Sequence, residues 1–113
     1  FLGQRLTVAG GHGLARPIVM DATVDQLDGY RFVYCLPFDA ETVFVEDTYY
    51  SDDRAIDPPL LRQRIAHYAA TRGWQVTAVD GEESGALPVV MAGDFDRLWP
   101  RDDDVARIGV RAG

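Results

Sequence analysis

The run 57–73 constrains this chain more than any other stretch. Asp57 can accept from the free N–H groups of a helix start, and Pro58 suits the first helical position. Leu61, Ile65, Tyr68 and Ala69 then recur at the spacing that lines one helical face, and Gly73 supplies the residue type on which helices end. A helix with a single apolar stripe must bury it against something. The segments on either side carry two-residue alternation and turn residues, so that partner is a sheet.

The strand candidates follow from punctuation. Residues 4–8 alternate and end in glycines at 10, 11 and 13, which lack GxGxxG spacing and precede no helical pattern, so they predict a turn and not a dinucleotide fingerprint. Residues 17–23 form a short apolar run closed by Asp28-Gly29. Residues 30–36 are the clearest strand, and a five-residue connection, 37–41, joins them to a second strand at 42–49 as a hairpin. Beyond Gly73, "WQVTAV" alternates, "DGEESG" predicts a turn and "ALPVVM" a further strand. "DFDRLWPRDDD" is an acidic, proline-broken loop, and "VARIGVRA" closes the chain as a last strand. The predicted class is α+β, an antiparallel or mixed β-sheet of about six strands with one helix packed on a face. At 113 residues and 47% hydrophobic content, residues 1–113 make one domain with enough apolar surface for a core.

Charge and cysteine content exclude several classes of function. The 11 basic residues are all arginine and face 18 acidic ones, a formal charge of −7 that opposes binding to nucleic acid or to an anionic membrane surface. A single cysteine, Cys35, allows no internal disulfide, and no apolar run approaches the roughly 20 residues of a membrane span. These features fit a reducing compartment, cytoplasmic or at the membrane periphery. The first residue is Phe1 and not Met, which suggests a piece of a longer protein.

Within the hairpin, "VFVEDTYY" places Glu46 beside Asp47 in a strand whose neighbours point to opposite faces. Pairing Leu36 with Thr42 sets Tyr34 opposite Phe44, Phe32 opposite Glu46 and Tyr30 opposite Thr48. On the other face Arg31 then lies opposite Asp47, as a salt-bridge partner. A slip of one residue would exchange the two faces. Among Tyr30, Phe32, Tyr34 and Phe44, the charged form of Glu46 is disfavoured, which equips it to donate a proton near neutral pH, while electron-rich rings can stabilise a cation formed nearby. The competing reading makes Glu46 an exposed strand-end residue and the aromatics ordinary sheet core.

Other polar residues read more plainly. His12 lies in the glycine turn and suits a solvated position or a cofactor boundary, whereas His67 falls on the polar side of the helix with no ligand partner. The run 102–104 lacks the spaced oxygen ligands of a calcium loop, so it predicts a solvated loop and no metal site. Glu82 and Glu83 read as solvated charges, with a role left open by the match described next. Cys35 reads as a small core residue.

In order along the chain, "HGLARPIVMDATVDQLDGYRFVYCLPF" (12–38), "VFVEDTYYSD" (43–52), "GWQV" (73–76), "GALPVV" (85–90) and "GVRAG" (109–113) resemble the central part of bacterial lycopene β-cyclases. The resemblance covers nearly the whole chain. It implies the substrate-binding sheet of a two-domain FAD flavoprotein, with Glu46 as the essential acid and Tyr30, Phe32, Tyr34 and Phe44 around the substrate. The reaction it implies is a non-redox cyclisation of the linear ψ-ends of lycopene to β-ionone rings, with reduced FAD as cofactor and peripheral membrane contact. Arg111 and Gly113, in the terminal motif, would lie toward the flavin in the complete enzyme only. No strand–GxGxxG–helix unit is present in these residues, so this stretch alone is expected to fold without binding FAD or cyclising lycopene.

Two alternatives are weighed against that reading. One is the substrate domain of another FAD-dependent reductase or hydroxylase acting on an isoprenoid or aromatic substrate. The other is a non-catalytic α+β binding module whose acidic surface meets a basic protein.

Overall fold

The computed structural model describes residues 1–27, 29–53, 55–89, 91–102, 104–106 and 109. Its strands are β1 (Leu2–Ala9), β2 (Ile18–Asp21), β3 (Arg31–Pro37), β4 (Thr42–Tyr49) and β5 (Gln75–Ser84), with α1 (Pro58–Thr71) between β4 and β5 and a single-turn α2 (Phe95–Leu98) after them. The order across the sheet is β2-β3-β4-β1-β5, and every neighbouring pair is antiparallel. β4 and β5 both run antiparallel to β1, and α1 carries the chain over the sheet from one to the other. The fold is α+β.

The helix forms where its sequence signals lie. The Asp57 carboxylate accepts from Leu60 N at 3.1 Å, and Pro58 occupies the first turn, where no N–H is needed. At the other end Gly73 has φ 72°, Gly73 N donates to Ala70 O at 2.9 Å and Trp74 N to Ala69 O at 3.0 Å. That pair of reversed bonds is the Schellman closure. Leu61, Ile65, Tyr68 and Ala69 are the buried stripe, and they meet Leu2, Leu6 and Val8 of β1, Val33 and Cys35 of β3 and Val43 and Val45 of β4. Burying each large aliphatic side chain contributes about 1.5–3 kcal/mol, which makes this contact the main stabilising layer.

The sheet departs from the sequence expectation in count and in register. There are five strands among the described residues, not six, and β5 runs on through 80–84 of "DGEESG" where a turn was expected. A register shift between Arg5 and Leu6 absorbs an extra residue of β5, and Arg5 Nη2 bonds Asp80 O at 2.9 Å. Residues 86–89 and 91 of the expected "ALPVVM" strand are not in a strand, nor are 105, 106 and 109 of "VARIGVRA". The other residues of those two segments lie outside the described residues.

In the hairpin, Leu36 pairs with Phe44, Tyr34 with Glu46, Phe32 with Thr48 and Arg31 with Tyr49, a slip of two residues from the expected pairing. The cause is the turn. The Asp39 carboxylate accepts from Glu41 N at 2.9 Å and Thr42 N at 2.7 Å, and Phe38 N reaches Thr42 O at 2.9 Å, so the strands continue past Pro37. Pro37 fits because alternation of ladder bonds leaves its missing N–H on the side away from β4. A slip of two preserves the face of every side chain.

Candidate functional site

Alternation divides the sheet into two faces of different character. The face under α1 holds the core, whereas the opposite face has no helix over it among the described residues and carries Phe32, Tyr34 and Leu36 of β3, Phe44, Glu46 and Thr48 of β4, and Gly3, Arg5 and Thr7 of β1. Adjacent acids are split between these faces twice. Asp47 points under the helix, fully buried, where Arg31 Nε donates to its two oxygens at 3.1 and 3.0 Å and Nη2 donates at 2.5 Å. Glu82 also points to the helix side, where Arg62 and then Gln4 donate to it and hold its carboxyl down at about 2. Their neighbours Glu46 and Glu83 stand on the open face.

Glu46 is half-buried in the middle of β4, so it is not a strand-end residue. It lies opposite Tyr34, not opposite Phe32 as the expected register had it, and its other cross-strand neighbour is Gly3. The Thr48 hydroxyl donates to Glu46 Oε1 at 2.6 Å. Oε2 has no hydrogen bond among the described residues, which leaves one carboxyl oxygen open to a ligand on the face.

The aromatic residues expected around Glu46 do share its face. Phe32 and Tyr34 meet edge to face at 5.1 Å between ring centres, and Tyr30 lies 5.5 Å from Phe32. Tyr50, which the sequence reading left out, stacks on Tyr30 at 6.1 Å and helps to reduce Phe32 to 3% exposure. Phe44 leans toward β1, where its ring lies directly over Gly3. Gly3 was also missed. The available signal was a glycine inside an alternating strand, which marks a close approach by another group.

The remaining candidates have structural surroundings. His12 is buried, with Nε2 bonded to Asp39 O at 2.6 Å and Nδ1 accepting from Leu14 N at 3.0 Å, so it braces the β1 turn and is not a solvated turn residue. His67 is exposed on α1. Cys35 is fully buried beside the Tyr68 hydroxyl, and burial pushes its thiol up. Burial and a hydrogen bond to Asp21 raise the Tyr68 hydroxyl. Asp21 joins β2 to the end of α1 by accepting from Tyr68 at 2.8 Å and Arg72 at 2.9 Å. No three His, Cys, Asp or Glu converge to hold a metal ion among the described residues. Arg111 and Gly113 lie outside the described residues. No helix among the described residues is long and apolar enough to cross a membrane.

The open face is thus one side of a sheet backed by a helix, with a half-buried carboxyl among aromatic rings. The family described as lycopene cyclase protein matches residues 1–113, and the chain belongs to that family. It is 47% identical over 113 residues to the lycopene beta-cyclase of Pantoea ananas, 48% over 113 residues to that of Pseudescherichia vulneris and 40% over 116 residues to that of Paracoccus sp. (strain N81106 / MBIC 01143). All of this chain is covered in each case, and it spans 29% of the length of each of these relatives. No solved structure matches it.

Proposed function

We propose that this chain is the substrate-facing sheet of a lycopene β-cyclase and that Glu46 is the acid that starts ring closure. The observation that carries this reading is the placement of a half-buried carboxyl, with one oxygen free of hydrogen bonds among the described residues, at the centre of an aromatic open face in a chain of that family. Glu46 gives its proton to the terminal double bond of a ψ-end, which forms a tertiary cation. A neighbouring double bond attacks that cation and closes the ring. Loss of a ring proton then restores neutrality, so mass and oxidation state do not change.

The other residues of the face have distinct parts in this scheme. Thr48 holds Oε1 and orients the carboxyl toward the polyene. Tyr34 and Phe44, with Tyr30 beyond them, offer electron-rich ring faces to the cation and apolar surface to the chain, while the buried Phe32 holds the Tyr30 and Tyr34 rings from below. Delivery of so apolar a substrate implies peripheral membrane contact by the complete enzyme.

The resemblance also implies reduced FAD in the complete enzyme. The glycines at 10, 11 and 13, with φ of 76°, 85° and 69°, form a turn that closes on Ala40 O and leads into β2, not into a helix. These residues do not fit a flavin pyrophosphate, and the steps above run on the side chains of the sheet. The deciding experiment replaces Glu46 with Gln in a complete cyclase carrying this sheet. Cyclised product at the parental rate would sink the reading, and product of altered mass from the parent would point to a reductase or hydroxylase instead.

A further inference from the structure

Ring closure needs a base as well as an acid, and the sheet holds a second carboxyl in line with the first. Gly3 pairs with Glu46 on one side and with Glu83 on the other, so Tyr34, Glu46, Gly3 and Glu83 form one row across β3, β4, β1 and β5. Directly paired residues share a face. Glu83 is therefore on the open face with Glu46, two strand spacings or about 10 Å away between Cα atoms. Its sequence neighbour Glu82 is held on the helix side by Arg62 and Gln4. Glu83 itself is exposed, and its side chain makes no hydrogen bond or ion pair among the described residues.

The space between the two carboxyls is shaped by glycine. Gly3 has no side chain to separate them, and the tip of the Phe44 ring occupies the space a Cβ would take there. Gly81 within β5 and Gly85 just past its end flank Glu83, and there the Arg5 guanidinium and the Phe1 ring come closest. The result is a low floor with a ring at its centre and one carboxyl at each side.

From this arrangement, and resting on the reading of Glu46 as the acid, we infer that Glu83 is the base that removes the ring proton. The polyene end lies over Phe44 between the two carboxyls. The Glu46 O–H bond breaks as a C–H bond forms at the inner carbon of the terminal double bond, which leaves the tertiary cation on the outer, dimethyl-bearing carbon. The ring then closes by a new C–C bond, and a ring C–H bond next to the cation breaks, its electron pair becoming the ring double bond and its proton passing to the Glu83 carboxylate. Exposure of Glu83 lets that proton return to solvent. The position of this base selects which hydrogen is lost, so Glu83 also sets where the ring double bond lies.

The test uses the complete enzyme with lycopene-containing membranes and measures rate, KM and the position of the ring double bond. Glu83→Gln should lower kcat on the order of 100-fold with KM little changed, and should yield rings whose double bond lies elsewhere. Glu83→Asp, which keeps the base on a shorter arm, should lie between Gln and the parent and retain the parental product. Parental rate and a single product from Glu83→Gln would overturn the inference, as would equal losses in the Gln and Asp variants. If Glu46→Gln abolishes turnover while Glu83→Gln does not, only this inference falls. If Glu46→Gln stays active, the underlying reading falls with it.

Discussion

Arg31 and Asp47 form a buried ion pair although they are not opposite each other: Arg31 pairs with Tyr49, Asp47 with Val33, and the guanidinium reaches diagonally across two residues to both carboxylate oxygens. Arg31 is 6% exposed and Asp47 not at all. Removing one partner leaves the other charge buried and uncompensated, so Asp47→Ala and Arg31→Ala should each cost about 3–5 kcal/mol. The double replacement should cost less than the sum of the two. Urea denaturation of the chain and its variants measures all three.

The Phe44 ring and Gly3 should be coupled in the same sense. An alanine Cβ at position 3 would stand 2.7 Å from Phe44 Cε1, closer than real contacts permit, so the ring must turn off the face. Gly3→Ala should destabilise the sheet by about 1–3 kcal/mol, the usual range for overpacking. In a Phe44→Leu background the same change should cost much less, as read by thermal melts of the four proteins in the cycle.

Acid should weaken the junction between β2 and α1. Burial alone would raise the Asp21 carboxyl, but donors from Thr23, Tyr68 and Arg72 override it and bring it from 3.8 to about 2. A carboxyl lowered by folding stabilises the fold fully above its unfolded value and loses that contribution as pH falls through the folded value. The contribution, on the order of 1–2 kcal/mol, should therefore disappear between about pH 4 and pH 2. In Asp21→Asn, stability measured by urea titration at successive pH values should lack this part of the slope.

The helix start offers a smaller, local test. Asp57→Ala removes the acceptor for Leu60 N and should cost about 1 kcal/mol, whereas Asp57→Asn keeps an oxygen there and should cost little. Chemical denaturation distinguishes the two.

These relationships differ in how far they could be read in advance. The bounds and buried stripe of α1 were legible because capping at Asp57, the proline at 58 and closure at Gly73 act within a few residues of chain. The division of faces in β4 was legible too, since Asp47 and Glu46 separate under any register that keeps parity. β5 was misread because "DGEESG" carries turn residues, and only its pairing with β1, some 80 residues earlier, keeps it extended.

By itself, then, the sequence determined the α+β class, the helix and the allocation of Glu46 to an aromatic face, because each rests on local periodicity or on side chains bonding nearby backbone. Tertiary structure alone decided that Tyr34 and not Phe32 lies opposite Glu46, because the Asp39 side chain tightened the turn by an amount that strand pattern does not reveal. It alone also set Gly3 between Glu46 and Glu83. Those three residues come from β1, β4 and β5, and what aligns them is hydrogen-bond pairing across the sheet, a non-local choice settled by packing under α1.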